Sequence, residues 1–259
     1  MNFCLGAPSW LRAFGLIAVA SLVVVFSIPA RAEMTQDQIQ EMLTELRLIR
    51  QALERGALAN AGAQQQAPDD KVSVALAPGG FSLGDSKARL VMVEYTDFQC
   101  PYCQQFHNIT FPQIKANYID TGKIRFVSRD FPLDFHENAR PAAIAGRCAA
   151  EQNKFWEMRH AMIANADQLK PDNLVSYASL VKMDATKFKA CLASGAAKFK
   201  TDIDRNIAEG IAAGVNGTPS FVLGYIDNDK LTGVRVVGAL PYGNFEAKID
   251  EMLAKANQQ

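Results

Sequence analysis

The sequence predicts an α/β protein whose sheet is interrupted by a helical insertion and preceded by an amphipathic helix. Three observations carry this: a strand-helix-strand pattern from Leu90 to Val127, near-continuous helical patterning over about 138–213, and two apolar strands followed by a helix toward the C-terminus.

The chain begins with the features of an export signal. Arg12 lies in the leading region, an apolar run extends from Phe14 to Ile28, and Pro29-Ala30-Arg31-Ala32 provides a small-x-small cleavage site. Residues 1–32 are therefore expected to be a cleaved signal peptide. The alternative is an uncleaved anchor, although the run falls short of the ~20 residues that a span requires. Cys4 precedes the apolar run, so it does not sit where a lipoprotein is acylated, and it is expected to leave with the signal.

Residues 33–56 read as a helix with punctuation at both ends. Thr35-x-x-Gln38 matches a capping box, Asp37 lies in the first turn, and Arg50 and Arg55 precede Gly56. Ile39, Met42, Leu46, Ile49 and Leu53 are spaced alternately three and four residues apart, a heptad seam. An isolated helix of this length has no core of its own, so the seam is expected to bury itself against a second copy, making a homo-oligomer through residues 35–56, or against the rest of the chain in cis. Residues 57–71, rich in Ala, Gln, Gly and Asn and lacking aromatics, read as a flexible linker.

Residues 72–259 form the main domain. Leu90-Val91-Met92-Val93-Glu94-Tyr95 is a buried strand, Pro101 to Ile119 a helix, and Ile124-Arg125-Phe126-Val127 a second strand after the turn at Thr121-Gly122-Lys123, a βαβ unit. The helical insertion over about 138–213 is expected to break near Lys170-Pro171-Asp172 and Met183-Asp184. Ser220 to Leu223 and Val234 to Val237 read as strands flanking the polar turn Asp227-Asn228-Asp229-Lys230. A last helix runs from about Tyr242 to Lys255.

Composition excludes one class of partner. Lys plus Arg and Asp plus Glu number 27 each, and the signal carries away two cations, so there is no electrostatic footprint for nucleic acid. The five cysteines are more informative. Without Cys4 the count is even, which in an exported chain suggests two disulfides. Cys100-Pro101-Tyr102-Cys103 follows a strand and opens a helix. Amide groups and the helix dipole there favour a thiolate, so Cys100 is expected to have a lowered pKa and to act as nucleophile and leaving group. Half of a zinc site is the competing reading, but Cys148, Cys191, His107, His136 and His160 are scattered and complete no ligand set, so no metal is expected. Cys148 and Cys191 remain by elimination as a structural disulfide, the alternative being two buried free thiols.

With these residues in view, the region 72–256 resembles the DsbA-like branch of the thioredoxin superfamily, in which a helical domain is inserted into a thioredoxin fold. Three segments carry the resemblance in order: Glu94-Tyr95-Thr96-Asp97-Phe98-Gln99-Cys100-Pro101-Tyr102-Cys103, Phe131-Pro132-Leu133-x-x-His136-x-Asn138-Ala139, and Gly217-Thr218-Pro219-Ser220-Phe221. The resemblance implies that Cys100 is the exposed attacking cysteine and Cys103 the shielded resolving one, together the redox-active disulfide. It implies that Pro219 is a cis-proline facing them, that the backbone of Thr218 pairs with a substrate strand, and that Glu94 is a buried acid assisting proton movement at Cys103. Phe98, Pro101 and Tyr102 are expected to line the site. Read without the flanking motifs, Pro219 is only a turn marker and Glu94 a solvated edge residue. His136, in a loop, is left outside the catalytic set.

The implied activity is thiol-disulfide exchange without a cofactor, making and rearranging disulfides in unfolded or misfolded exported proteins in the bacterial periplasm. A DsbB-like or DsbD-like membrane redox partner would recharge the thiol pair. Oxidation is the leading expectation. Tyr102 stands where the familiar strong oxidase has a histidine, so a milder oxidant is expected, and the heptad helix makes an oligomeric isomerase or reductase the main alternative. A non-enzymatic chaperone or Cu(I)-holding protein is a further class, since thiolates suit Cu(I).

Overall fold

The structure, a computed structural model, describes residues 35–38, 40–47, 50, 71–75, 80–228 and 230–256. The expected signal peptide, nearly all of the linker, and the seam positions Ile39, Ile49 and Leu53 lie outside the described residues. The chain divides into two units, residues 1–65 and 66–259.

In the first unit, residues 36–38, 40–47 and 50 are helical. The capping box is formed reciprocally: the Thr35 amide donates to Gln38 Oε1 at 2.9 Å, and the Gln38 amide donates to Thr35 Oγ1 at 3.3 Å. Of the seam, Met42 and Leu46 are exposed, as is their neighbour Leu43.

The second unit is built on a six-stranded sheet: β1 Lys71–Ala75, β2 Phe81–Leu83, β3 Leu90–Thr96, β4 Ile124–Asp130, β5 Ser220–Asp227 and β6 Lys230–Val237. Their order is β1-β6-β5-β3-β4-β2. β3 runs parallel to β4, and the other pairings are antiparallel. The two edge strands were not anticipated, since each is short and only partly buried, leaving little periodic signal. Lys71, assigned to the linker, instead begins β1, where it pairs with Val234.

β3 is central and every one of its residues is buried, which explains its apolar run from Leu90 to Val93. Its side chains alternate between faces. Leu90 and Met92 join Phe106, Phe126, Phe221 and Phe245 on one side, while Val91, Val93 and Tyr95 join Phe131 and Val222 on the other. The four phenylalanines of the first group are fully buried, each contributing roughly 1.5–3 kcal/mol through area removed from water.

The βαβ helix, α1, spans residues 101–119 but is not regular: Phe106–Thr110 and Lys115–Ile119 are π-helical. The first widening ends at Phe111, whose amide reaches back to the carbonyl of Phe106, immediately before Pro112. Proline has no amide to donate and clashes with the carbonyl four residues back, and a π turn relieves both problems.

The insertion contains α2 Ala139–Ala150, α3 Phe155–Ala164, α4 Pro171–Leu180, α5 Ala185–Lys198 and α6 Lys200–Ala212, and α7 Tyr242–Ala256 closes the chain. Both anticipated breaks occur. Pro171 takes the first position of α4, and Asp184 caps α5 by accepting from the amides of Thr186 and Lys187. A disulfide joins Cys148 of α2 to Cys191 of α5, with Cα atoms 5.8 Å apart. At Gly210 of α6, a Cβ would lie 2.8 Å from the Phe131 ring and 3.0 Å from Tyr95, so the absence of a side chain allows α6 to approach the sheet closely.

Candidate active site

The register of the central strands converges two distant segments. Tyr95, near the end of β3, pairs with Ser220, the first residue of β5. Cys100, five residues beyond Tyr95, and Thr218-Pro219, just before Ser220, therefore reach the same end of the sheet. The Thr218-Pro219 peptide bond is cis. In its thiol form, Cys100 Sγ donates to the Thr218 carbonyl oxygen at 3.3 Å.

Cys100 is the N-cap of α1, in extended conformation, with Pro101 at the first helical position. Its loop is fixed by Asp97, which is buried. Asp97 accepts from the Gln99 amide at 2.8 Å, from the Leu133 amide at 2.9 Å and from His136 Nδ1 at 2.8 Å. Gln99 Oε1 in turn accepts from the Asn138 amide at 2.7 Å, tying the loop to the start of α2. His136 thus braces the loop through Asp97.

The two free thiols are displaced in opposite directions. The Cys100 pKa falls from 9.0 to about 6, chiefly because the Cys103 thiol donates to it; burial opposes this, while the Thr218 side chain and the amides of Cys103 and Tyr102 reinforce it. The Thr218 hydroxyl has no other described partner and is available to a thiolate. Cys103 is held well above the usual thiol range by burial first, then by its bond to Cys100 and by the negative charges of Cys100 and Glu94. One sulfur is thus poised as a thiolate and the other as a thiol, the asymmetry that directed exchange requires.

Glu94 has no exposed surface, so the reading of it as a solvated edge residue does not hold. Burial raises its pKa, and the Arg159 guanidinium, 2.6 Å from Oε2, opposes that rise without cancelling it.

Two expectations need correction. Cys100, expected to be exposed, is only 3% exposed, because it sits against the Thr218 segment; Cys103 behind it is fully buried. Phe98, expected to line the site, is buried in the insertion core with Ala142, Met158 and Met162, where the chain turns it away from solvent. Pro101 and Tyr102 are exposed, Thr218 is half-buried and Pro219 is buried. Asp97, Arg159 and His107 were not singled out as site residues; Asp97 lies within the first of the three segments, but Arg159 has no sequence signal linking it to a strand 65 residues away. Among the described residues, no group of three His, Cys, Asp or Glu side chains is placed to hold a metal ion.

The thioredoxin family model matches residues 76–237. Among solved structures, alpha-DsbA1 of Wolbachia pipientis is 29% identical, with a TM-score of 0.59 over 70% of this chain and 94% of that one. BdbD of Bacillus subtilis, at 22% identity and a TM-score of 0.61, shares the fold over 72% of this chain and all of its own. A provisionally named protein-disulfide oxidoreductase of Rickettsia bellii is 26% identical over 69% of this chain and 70% of its own length. A stretch of a protein named Na(+)/H(+) antiporter NhaA 3 of Salinispora tropica is 38% identical over 53% of this chain, and that match spans only 20% of the relative's length. Among the described residues, no helix is long and apolar enough to cross a membrane.

Proposed function

As the chain belongs to the thioredoxin family, in the DsbA-like form of its fold, we propose that it is a thiol-disulfide oxidoreductase that oxidises client proteins through Cys100 and Cys103. A client thiolate attacks Cys100 Sγ of the oxidised pair, the Cys100–Cys103 bond breaks, and Cys103 departs and is protonated. A second client thiolate then attacks the client sulfur, and Cys100 leaves as a thiolate. The client dithiol has become a disulfide and two electrons reside on Cys100 and Cys103, to be removed by a DsbB-like membrane partner or, for reduction and isomerisation, supplied by a DsbD-like one.

The observation that carries this reading is the opposed poise of the two thiols. A stabilised Cys100 thiolate favours the reduced enzyme and so drives the disulfide onto the client. A Cys100 pKa of about 6 lies between the ~3.5 of DsbA and the ~7 of thioredoxin, consistent with a milder oxidant than the former. Glu94 and Pro219 are assigned to proton transfer and to shaping the client groove, and Thr218 to pairing with an extended client segment through its backbone. Tyr102, between the two cysteines and 63% exposed, gives the surroundings the apolar character that unfolded clients present. The bacterial periplasm, reached through a cleaved signal over residues 1–32, is the compartment in which this chemistry persists.

A second reading is favoured by the exposure of Met42 and Leu46: an oligomer joined through residues 35–56 that rearranges wrong disulfides. Equilibration of the Cys100/Cys103 pair against glutathione, with size analysis of the same sample, tests both. An oxidising potential approaching ~−120 mV in a monomer supports the oxidase. A much lower potential in an oligomer supports the isomerase, and no exchange with glutathione would overturn both.

A further inference from the structure

A buried chain of polar groups is contributed by three elements, β3, α3 and α1. Glu94 of β3 accepts from Arg159 Nη2 at 2.6 Å through Oε2 alone; Oε1 is buried and has no described partner. Arg159 of α3 has no exposed surface. Its Cζ lies 5.2, 6.0 and 5.7 Å from the ring centroids of Phe111, Phe126 and Trp156. Arg159 Nη1 is 2.6 Å from His107 Nδ1 of α1, and His107 Nε2 is 2.9 Å from Nδ1 of exposed His160. A guanidinium can only donate, so His107 Nδ1 accepts and its ring proton sits on Nε2, directed at His160.

A fully buried ion pair contributes little stability, because desolvation offsets its attraction and apolar residues of similar volume often do as well. The asymmetry at Glu94 suits a different purpose. Glu94 lies on the face of β3 that α1 covers, and its charge is one of the influences on the Cys103 thiol. The charged or titratable groups acting on Glu94 are Arg159 from α3 and Cys103 from α1, and Arg159 in turn meets His107.

We propose that Arg159 is a positioning residue of the resolving step: by engaging Oε2 it favours the carboxylate form of Glu94 against the burial that opposes it, and leaves Oε1 to take the proton of Cys103. This rests on the exchange chemistry proposed above. In that step the Cys103 proton passes to Oε1, and the thiolate electron pair attacks Cys100 Sγ of a mixed disulfide. The Cys100–Cys103 bond forms as the bond from Cys100 to the partner sulfur breaks, and the partner leaves as a thiolate. The partner is reduced and the cysteine pair oxidised. In the reverse direction, Glu94 returns the proton to departing Cys103.

The test follows the reduced full chain with glutathione disulfide from about pH 3.5 to about pH 9, spanning ordinary carboxylate and thiol values. The first phase, attack by Cys100, reports exchange itself; the second, resolution by Cys103, reports the proposal. Arg159→Gln is expected to leave the first phase unchanged and to move the second-phase midpoint upward by about one to three pH units, the effect of losing a neighbouring cation. Arg159→Lys restores most of that shift. In a Glu94→Gln background, Arg159→Gln adds nothing to the second phase. An unmoved midpoint, or equal slowing by Arg159→Gln in both backgrounds, would overturn the proposal. Should Arg159→Gln alone fail to fold, the double variant lacks both buried charges, and its second phase must match that of Glu94→Gln. Absence of the first phase in the unaltered chain would instead overturn the exchange chemistry.

Discussion

Cys100 Sγ and the carbonyl oxygen of Thr218 are 3.3 Å apart across 118 residues of sequence. The contact joins the attacking sulfur to the segment proposed to hold the client, so a client strand pairing with Thr218 would be delivered directly to the thiolate.

Cys100 is expected to react with iodoacetamide along a pH curve centred near 6, not near the ordinary thiol value of about 8.5. Because its folded pKa is lowered, the thiolate contributes stability to the reduced protein that is fully present above the unfolded value and lost as pH falls through about 6. Denaturant titration of the reduced form should therefore show stability rising between these limits. An alkylation midpoint above 8.5, the reference thiol value, would refute the assignment.

Cys103→Ser is expected to accumulate mixed disulfides on Cys100, since the resolving thiol is gone. Loss of the thiol donor, the largest cause of the lowered Cys100 pKa, should also raise the Cys100 midpoint, unless the serine hydroxyl replaces that bond. Cys103→Ala removes this ambiguity and should give the larger rise. Trapped adducts are read by mass spectrometry, and the midpoint by the ultraviolet absorbance of the thiolate.

Replacing Cys148 and Cys191 together by alanine opens a bridge spanning 43 residues. The chain-entropy account gives a loss of about 4 kcal/mol in unfolding free energy. The bridge joins α2 and α5 within the insertion, so exchange at Cys100 should be retained at temperatures where the variant is folded. Urea unfolding and the glutathione assay measure the two parts separately.

On the second reading, in which residues 35–56 join an oligomeric isomerase, deletion of residues 35–56 is expected to lower the oligomeric state and to remove isomerase activity while sparing client oxidation. Sedimentation and refolding of a scrambled-disulfide substrate check this. An unchanged mass and unchanged isomerisation would remove the heptad seam from the functional account.

The placement of the two thiols and of the cis-proline segment was legible because each depends on local sequence. Cys100-Pro101-Tyr102-Cys103 lies within one helical turn, and Thr218-Pro219-Ser220 leads straight into a strand. The edge strands β1 and β2 were not legible, since partial burial leaves short segments no clear alternation. Phe98 was misplaced for a related reason: adjacency to Cys100 in the chain says nothing about which core receives its ring.

The sequence by itself determined the α/β order of elements, the cysteine pair at a helix start and the capping box at Thr35, because each depends on neighbours within a few residues. Tertiary structure alone decided that Glu94 is buried, that Arg159 rather than a nearby residue neutralises it, and that Thr218 stands over Cys100. Those facts depend on strand register and on α3 packing against β3 and α1. Burial and charge pairing are properties of the surroundings in space, and the surroundings of Glu94 are assembled from segments that sequence distance keeps apart.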